Sequence, residues 1–298
     1  MVASGPAGPR RRLGAELRRL RNGTGLHLDQ VAVLLHCSTS KISRLETGKG
    51  IPKPGDVREL MKIYGVVADT EREMLMRLVR ESRTEGWWEP YTDGVAPERF
   101  FLDEPGRYAA LETDAVSLRS FDFGILHGLL QTPDYARAVL SAQLPHHSPH
   151  VIEQLVELRL RRQDRLQDAD PLRLTAVVDE SVLLRVVGAP DVMRAQVRHV
   201  LALMELPHVT VRILPFSAGV RRSHMGHFML LEIPDDLGSD LVYIEGHAGE
   251  TILESESDVD LYRHVFDDAL VRSLDAGASR DAIRRSAPDA APPRKAQQ

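Results

Sequence analysis

Five polar side chains, Thr39, Ser40, Lys41, Ser43 and Arg44, fall within six consecutive residues and are interrupted only by Ile42. With 3.6 residues per turn, this spacing turns Ile42 and Leu45 inward and leaves the hydroxyls and cations on the outer face. A short helix with such a face suits the major groove of duplex DNA, where a guanidinium can address a guanine edge and hydroxyls can address bases or phosphates. Any small helical hairpin with a capped second helix would share the local pattern, so the neighbouring elements decide how it is read.

Those elements agree with a reading unit. Ser38 is placed to cap the outward-facing helix, and Gly48 supplies a left-handed exit. Before it, Val31, Ala32 and Leu35 recur at helical spacing, and Ala32 keeps the side small where a second helix must cross closely. A further amphipathic helix is expected over 13–21, with Leu13, Leu17 and Leu20 on one side. Another is expected over 56–64, with Val57, Leu60, Met61 and Tyr64, after the helix-breaking I-P-K-P at 51–54. Residues 70–82 continue the series with Met74, Leu75, Leu78 and Val79.

The string S-T-S-K-I-S-R-L-E-T-G-K, followed by a proline-bearing loop and L-M-K-I-Y-G-V, resembles the phage-repressor, or xenobiotic-response-element, family of helix-turn-helix proteins. The resemblance implies base-edge contacts by Thr39, Ser40 and Arg44, phosphate contacts by Ser38, Lys41, Ser43 and Lys49, and a structural ion pair between Arg21 and Glu46. Two positions depart from the family. His27 stands where a Ser or Thr cap is usual. His36 replaces the turn glycine and must accept a left-handed backbone, which histidine tolerates better than most residues.

Charge divides the chain. Residues 1–85 hold 16 Lys plus Arg against 10 Asp plus Glu, and residues 86–298 hold 22 against 33, so a net charge of −5 hides a basic head. A basic head gains affinity for DNA by releasing counterions, and an acidic remainder discourages indiscriminate binding. The single cysteine, Cys37, excludes an internal disulfide and a cysteine-rich zinc site, and fits a reducing cytoplasm. No apolar run reaches membrane-spanning length, and the first ten residues lack a signal-peptide core. Arginine outnumbers lysine 33 to 5, as a GC-rich bacterial genome would produce.

The sequence divides into a disordered 1–9, a helix-turn-helix domain at 10–83, a linker at 84–100, an effector or assembly domain at 101–276 and a disordered Ala/Pro-rich tail at 277–298. The linker carries Trp87 and Trp88, which either pack or stack on a ligand. Beyond it, helices are expected at 106–118, 133–142, 150–167, 180–187, 190–206 and 257–274. Strands are expected at 172–178, 209–214, 227–233 and 241–246. The fold class is thus an all-α head followed by an α+β domain with a mainly antiparallel sheet covered by helices.

The second domain carries its own likeness. The strings H-G-L-L-Q-T-P-D-Y-A at 127–136, R-R-Q at 161–163, M-R-A-Q at 193–196, I-L-P-F-S-A-G at 213–219 and V-Y-I-E at 242–245 resemble a domain of undefined function in actinomycete regulators. Such regulators pair it with the same head, are often encoded beside a small partner protein, and are described as antitoxin-like. His127 departs from the usual proline. Gln131, Tyr135, Arg159, Arg162 and Gln163 would form either a polar wall for an effector or partner, or an internal network holding the domain together.

Catalytic patterns are weak. His146, His147 and His150 lie in a Pro-broken loop, His224 and His227 in another, and neither has metalloprotease spacing. Asp179 and Glu180 would point oppositely at the end of a strand, and Asp179 reads better as a helix cap. The expectation is therefore a cytoplasmic DNA-binding transcriptional regulator, acting as a homodimer on double-stranded DNA, with no catalytic residues, metal or cofactor. A small-molecule effector or a neighbouring small protein would act on its second domain. The alternative is an enzyme in that domain that the head targets to DNA.

Overall fold

The computed structural model describes residues 7–48, 50–84, 86–92, 95, 105–234, 238–246 and 249–287. The chain divides into two compact units. The first is all-helical: α1 (Ala7–Thr24), α2 (Leu28–Leu34), α3 (Thr39–Glu46), α4 (Pro54–Ile63) and α5 (Asp69–Glu81) come in order. Leu13, Leu17, Val31, Ile42, Leu60 and Leu75 meet in one buried core, each from the apolar side of its own helix. Pro54 opens α4 at the position where a missing N–H costs nothing.

A four-residue helix, α6 (Glu89–Thr92), and α7 (Pro105–Asp114) follow, and Gly106–Asp114 belongs to the first unit. The tryptophans are packing residues. Their rings meet edge to face at 5.9 Å, and the Trp87 indole N–H donates to the Thr113 hydroxyl at 3.0 Å. The Trp88 ring fills the space that a Cβ at Gly86 or Gly106 would need.

The second unit is built on a six-stranded sheet: β1 (Ser117–Asp122), β2 (Arg173–Asp179), β3 (Val209–Leu214), β4 (Phe228–Glu232), β5 (Leu241–Gly246) and β6 (Gly249–Leu253). The order is β3-β2-β1-β4-β5-β6. The pairs β1/β2 and β2/β3 are parallel, and the other three pairs are antiparallel. The expectation of a mainly antiparallel, helix-covered sheet holds, with a parallel trio at one end.

Helical crossovers create that trio: α8 (Pro133–Gln143) and α9 (Pro149–Arg162) lie between β1 and β2, and α10 (Glu180–Leu184) and α11 (Pro190–Leu203) between β2 and β3. Alternate residues serve opposite faces. Phe121, Val177, Leu214 and Phe228 pack with Val259 and Phe266 of α12 (Glu256–Arg272). Val178 and Ile213 face the opposite way, toward Met193 and Val197 of α11.

Three elements differ from expectation. β1 occupies the end of the helix expected at 106–118, and β6 falls where no strand is expected. A helix, α13 (Ala276–Arg285), lies in place of the disordered tail expected from 277. Asp275 caps it, accepting from the Ala278 N–H at 2.8 Å, and it lies along the free edge of β3. There the buried Ser279 hydroxyl accepts from the Ile213 N–H at 3.0 Å, and the Leu274 N–H donates to the Ile213 carbonyl at 2.8 Å.

Candidate nucleic-acid interface

The turn between α2 and α3 is made by residues 35–38. Among the described residues, His36 is the one non-glycine with positive φ, at +51°. The expected left-handed histidine is therefore present. His27 precedes α2 without a hydroxyl cap, and Gln30 compensates by accepting the His27 N–H at 2.8 Å. Ser38 caps α3, its Oγ accepting from the Lys41 N–H at 3.2 Å. Gly48 leaves α3 with φ +68°.

The reading helix is held against α1. A Cβ on Gly14 would lie 2.7 Å from the carbonyl oxygens of both Leu45 and Glu46, so the crossing is as close as backbone allows. Beside it, Arg21 forms a two-pronged pair with the buried Glu46, Nε to Oε1 at 2.7 Å and Nη2 to Oε2 at 2.9 Å. Arg21 Nη1 also donates to the Leu26 carbonyl at 3.0 Å, so one guanidinium ties α1, the α1–α2 loop and the end of α3 together. Hydrogen bonding to Glu46 raises the pKa of Arg21 above its ordinary value. Burial, and then the Glu46 charge, raise that of Tyr64.

This frame leaves Ser38, Thr39, Ser40 and Arg44 exposed, with Ser43 half-buried. Lys41 is half-buried, and its Nζ lies 2.6 Å from Asp56 Oδ2 in the first turn of α4. To reach a phosphate it must exchange that carboxylate. Lys49 lies outside the described residues. Cys37 is half-buried and packs against the head core, as expected for a small packed side chain.

In the second unit the candidate effector residues come together, but as an internal lock. Gln131 is buried, its Nε2 donating to the Leu126 carbonyl at 2.6 Å and its Oε1 accepting from Arg159 Nη1 at 2.9 Å. Gln163 Nε2 donates to the carbonyls of Gly128 at 3.0 Å and Gln131 at 2.7 Å. A Cβ at Gly128 would come within 3.3 Å of Arg162 Nη2. Tyr135 is buried beneath the same loop, accepting from the Leu126 N–H at 3.5 Å, and burial pushes its phenol up to about 12. Of the two arrangements expected for these five residues, the bonds described belong to an internal network, in which the loop carbonyls draw in the amides of Gln131 and Gln163 while Arg159, Arg162 and Gln163 stay half-buried.

Two histidine–carboxylate pairs escape the sequence reading, because their members lie far apart in the chain. At the end of β2, Asp179 caps α10 through the Ser181 N–H at 2.9 Å, and its Oδ2 lies 3.1 Å from His224 Nε2. At the end of β1, the fully buried Asp122 accepts from the His127 N–H at 3.1 Å, and its Oδ1 lies 3.4 Å from His227 Nδ1. Burial pushes Asp122 up to about 6, against the opposing effects of His227 and of hydrogen bonds from His127 and Ser120. His127 is pushed well below its ordinary value, first by burial and then by Arg162. His146 is exposed and His147 half-buried in the α8–α9 connection, and His150 is exposed in the first turn of α9. Among the described residues no three His, Cys, Asp or Glu side chains stand as a metal-holding group.

A capped reading helix clamped across a short turn, followed by a mixed-sheet α+β unit, defines a helix-turn-helix protein with an appended domain. Residues 12–75 match the family model of a helix-turn-helix domain. Residues 105–285, more than half the chain, match the Domain of unknown function (DUF5753), and the chain belongs to that family. No curated protein and no solved structure matches the chain. The helix-turn-helix domain points to a DNA-binding regulator. No described helix is long and apolar enough to cross a membrane.

Proposed function

We propose that the protein is a sequence-specific transcriptional regulator of the xenobiotic-response-element type, working as a dimer in the cytoplasm of an actinomycete. The observation that carries this reading is the outward face of α3: Thr39, Ser40 and Arg44 stand exposed on a helix capped by Ser38 and fastened through Glu46. Thr39, Ser40 and Arg44 address base edges, and Ser38, Ser43 and Lys49 hold phosphates. Lys41 joins them when it leaves Asp56. One short helix reads few bases, so two copies on related half-sites supply useful selectivity.

The second unit, in this reading, has no catalytic role. It governs the head by sensing a small molecule or docking a small partner protein in an antitoxin-like arrangement.

Genomic footprinting of the wild type and an Arg44→Ala variant tests the assignment. The expected result is a set of palindromic sites lost in the variant, with Arg44→Ala costing about 1–3 kcal/mol on cognate DNA and relaxing discrimination at one base position. Equal losses on cognate and random duplexes would refute it.

A further inference from the structure

On the face of the sheet that packs against α12, a cleft of about 160 Å³ lies where β1 begins and β4 ends. Alternation along β1 puts Ser117 and Arg119 on the same face as Phe121, and alternation along β4 puts Leu230 and Glu232 on the face of Phe228. The register pairs Ser117 with Glu232 and Arg119 with Leu230, so Arg119 and Glu232 are diagonal neighbours across one strand pair. All four line the cleft, together with Val259 and Arg263 of α12 and with Asp240, which immediately precedes β5.

On the helix side the charges are spent on one another. Arg263 donates to Asp260 Oδ1 at 2.8 Å and also to Asp240, and Asp240 accepts the Ile233 N–H at 2.9 Å. On the sheet side they are not. The ion-pair partner of Arg119 among the described residues is Asp267, whose Oδ1 lies 3.6 Å away, beyond hydrogen-bond reach. Ser117 is only 8% exposed, and its hydroxyl has no hydrogen-bond partner among the described residues. Glu232 Oε2 accepts a long bond of 3.4 Å from Arg173, and Glu232 Oε1 accepts none there. No ion pair joins Arg119 to Glu232. A guanidinium and a carboxylate thus face one cleft from adjacent strands without meeting, beside a buried hydroxyl with bonding capacity to spare.

Charge and size then select the occupant. The lining guanidiniums, Arg119 and Arg263, balance the lining carboxylates, Glu232 and Asp240. A free anion would meet both carboxylates and a free cation both guanidiniums, so a ligand that carries one charge of each sign fits best. An apolar cavity of about 150 Å³ takes up benzene, so a volume of this order admits about six heavy atoms.

We propose that the cleft binds a small zwitterionic amino acid. Its carboxylate accepts from Arg119 and from the Ser117 hydroxyl, its ammonium group donates to Glu232, and its short side chain rests on Leu230 and Val259. The site rests on the reading of the second unit as a sensor of a small molecule, and gives that reading a location and a ligand class.

The test titrates the full chain in a calorimeter with L-alanine, propionate, ethylamine and glycerol, none larger than alanine, and follows the arginine ¹⁵Nε resonances. The expected result is that alanine binds at least tenfold more tightly than the other three and shifts the Arg119 resonance. Arg119→Gln and Glu232→Gln each then lower alanine affinity at least tenfold. Arg272→Gln, which removes an α12 guanidinium paired with Asp268 outside the lining, leaves it unchanged. Propionate, ethylamine or glycerol binding as tightly as alanine, no binding of any probe, alanine binding that survives both cleft variants, or an unmoved Arg119 resonance would overturn the proposal. The wild-type resonance decides the matter even if a variant fails to fold. A broader metabolite screen that stabilises wild type and Arg119→Gln equally would sink this site and leave the sensor reading standing.

Discussion

Asp122 is the residue whose protonation the fold changes most legibly. Unfolded, it titrates near its ordinary value of 3.8; folded, burial moves it to about 6. The native state therefore binds more protons than the unfolded state between about pH 4 and pH 6, and stability falls as pH rises through that window. The contribution is fully present below about 4 and is lost above about 6, a change of about 3 kcal/mol for two units. Asp122→Asn removes the titration. Denaturation of both proteins from pH 4 to pH 7 should show the wild type losing ground to the variant as pH rises, and parallel curves would show that Asp122 is not the group responsible. At the same scale, Arg21 and Glu46 show what the helix-turn-helix resemblance supplies, since their partnership across 25 residues follows from no local spacing. His224 and His227 belong to no such motif, and their aspartates become visible only when β1 and β2 are laid side by side.

Among the elements, α3 is placed by two backbone features that act oppositely on stability. Gly14 permits the α1 crossing, and Gly14→Ala pushes a methyl group against two carbonyls, which should cost about 1–3 kcal/mol in chemical denaturation. His36 holds a left-handed conformation against its Cβ, so His36→Gly should raise stability by about 1 kcal/mol, read as a higher midpoint at unchanged m. The head is legible because its helices are amphipathic, with caps and breakers between them. β1 is not: its S-L-R-S-F-D string puts Ser117, Ser120 and Asp122 into the interior, because the strand is central and covered on both faces, so neither alternation nor an apolar run appears. β6, G-E-T-I-L, carries the Gly and Glu of an edge strand. α13 hides behind Ala, Gly and Ser, although Asp275 and Ile283 mark its cap and its buried side.

For the whole molecule, the opposed charges of head and remainder bear on how DNA is held. The excess of cations is confined to residues 1–85, so retention on duplex DNA should fall steeply between about 50 and 200 mM salt, as counterion release requires. A flat salt response would mean that the basic segment does not meet phosphates. The sheet brings a different kind of vulnerability. Its β3 border is met not by another strand but, at Ile213, by the backbone of Leu274 and by Ser279 of the last helix of the described chain. A premature stop after Leu274 would leave every groove-reading residue intact and yet strip α13 from the edge of Val209–Leu214, freeing the Ile213 N–H from Ser279 and opening that edge to any neighbouring molecule. Light scattering should then record growing oligomers where the intact protein stays monodisperse. Frameshifts near the end of such a gene would thus silence it through insolubility, with the operator-facing surface never having been touched.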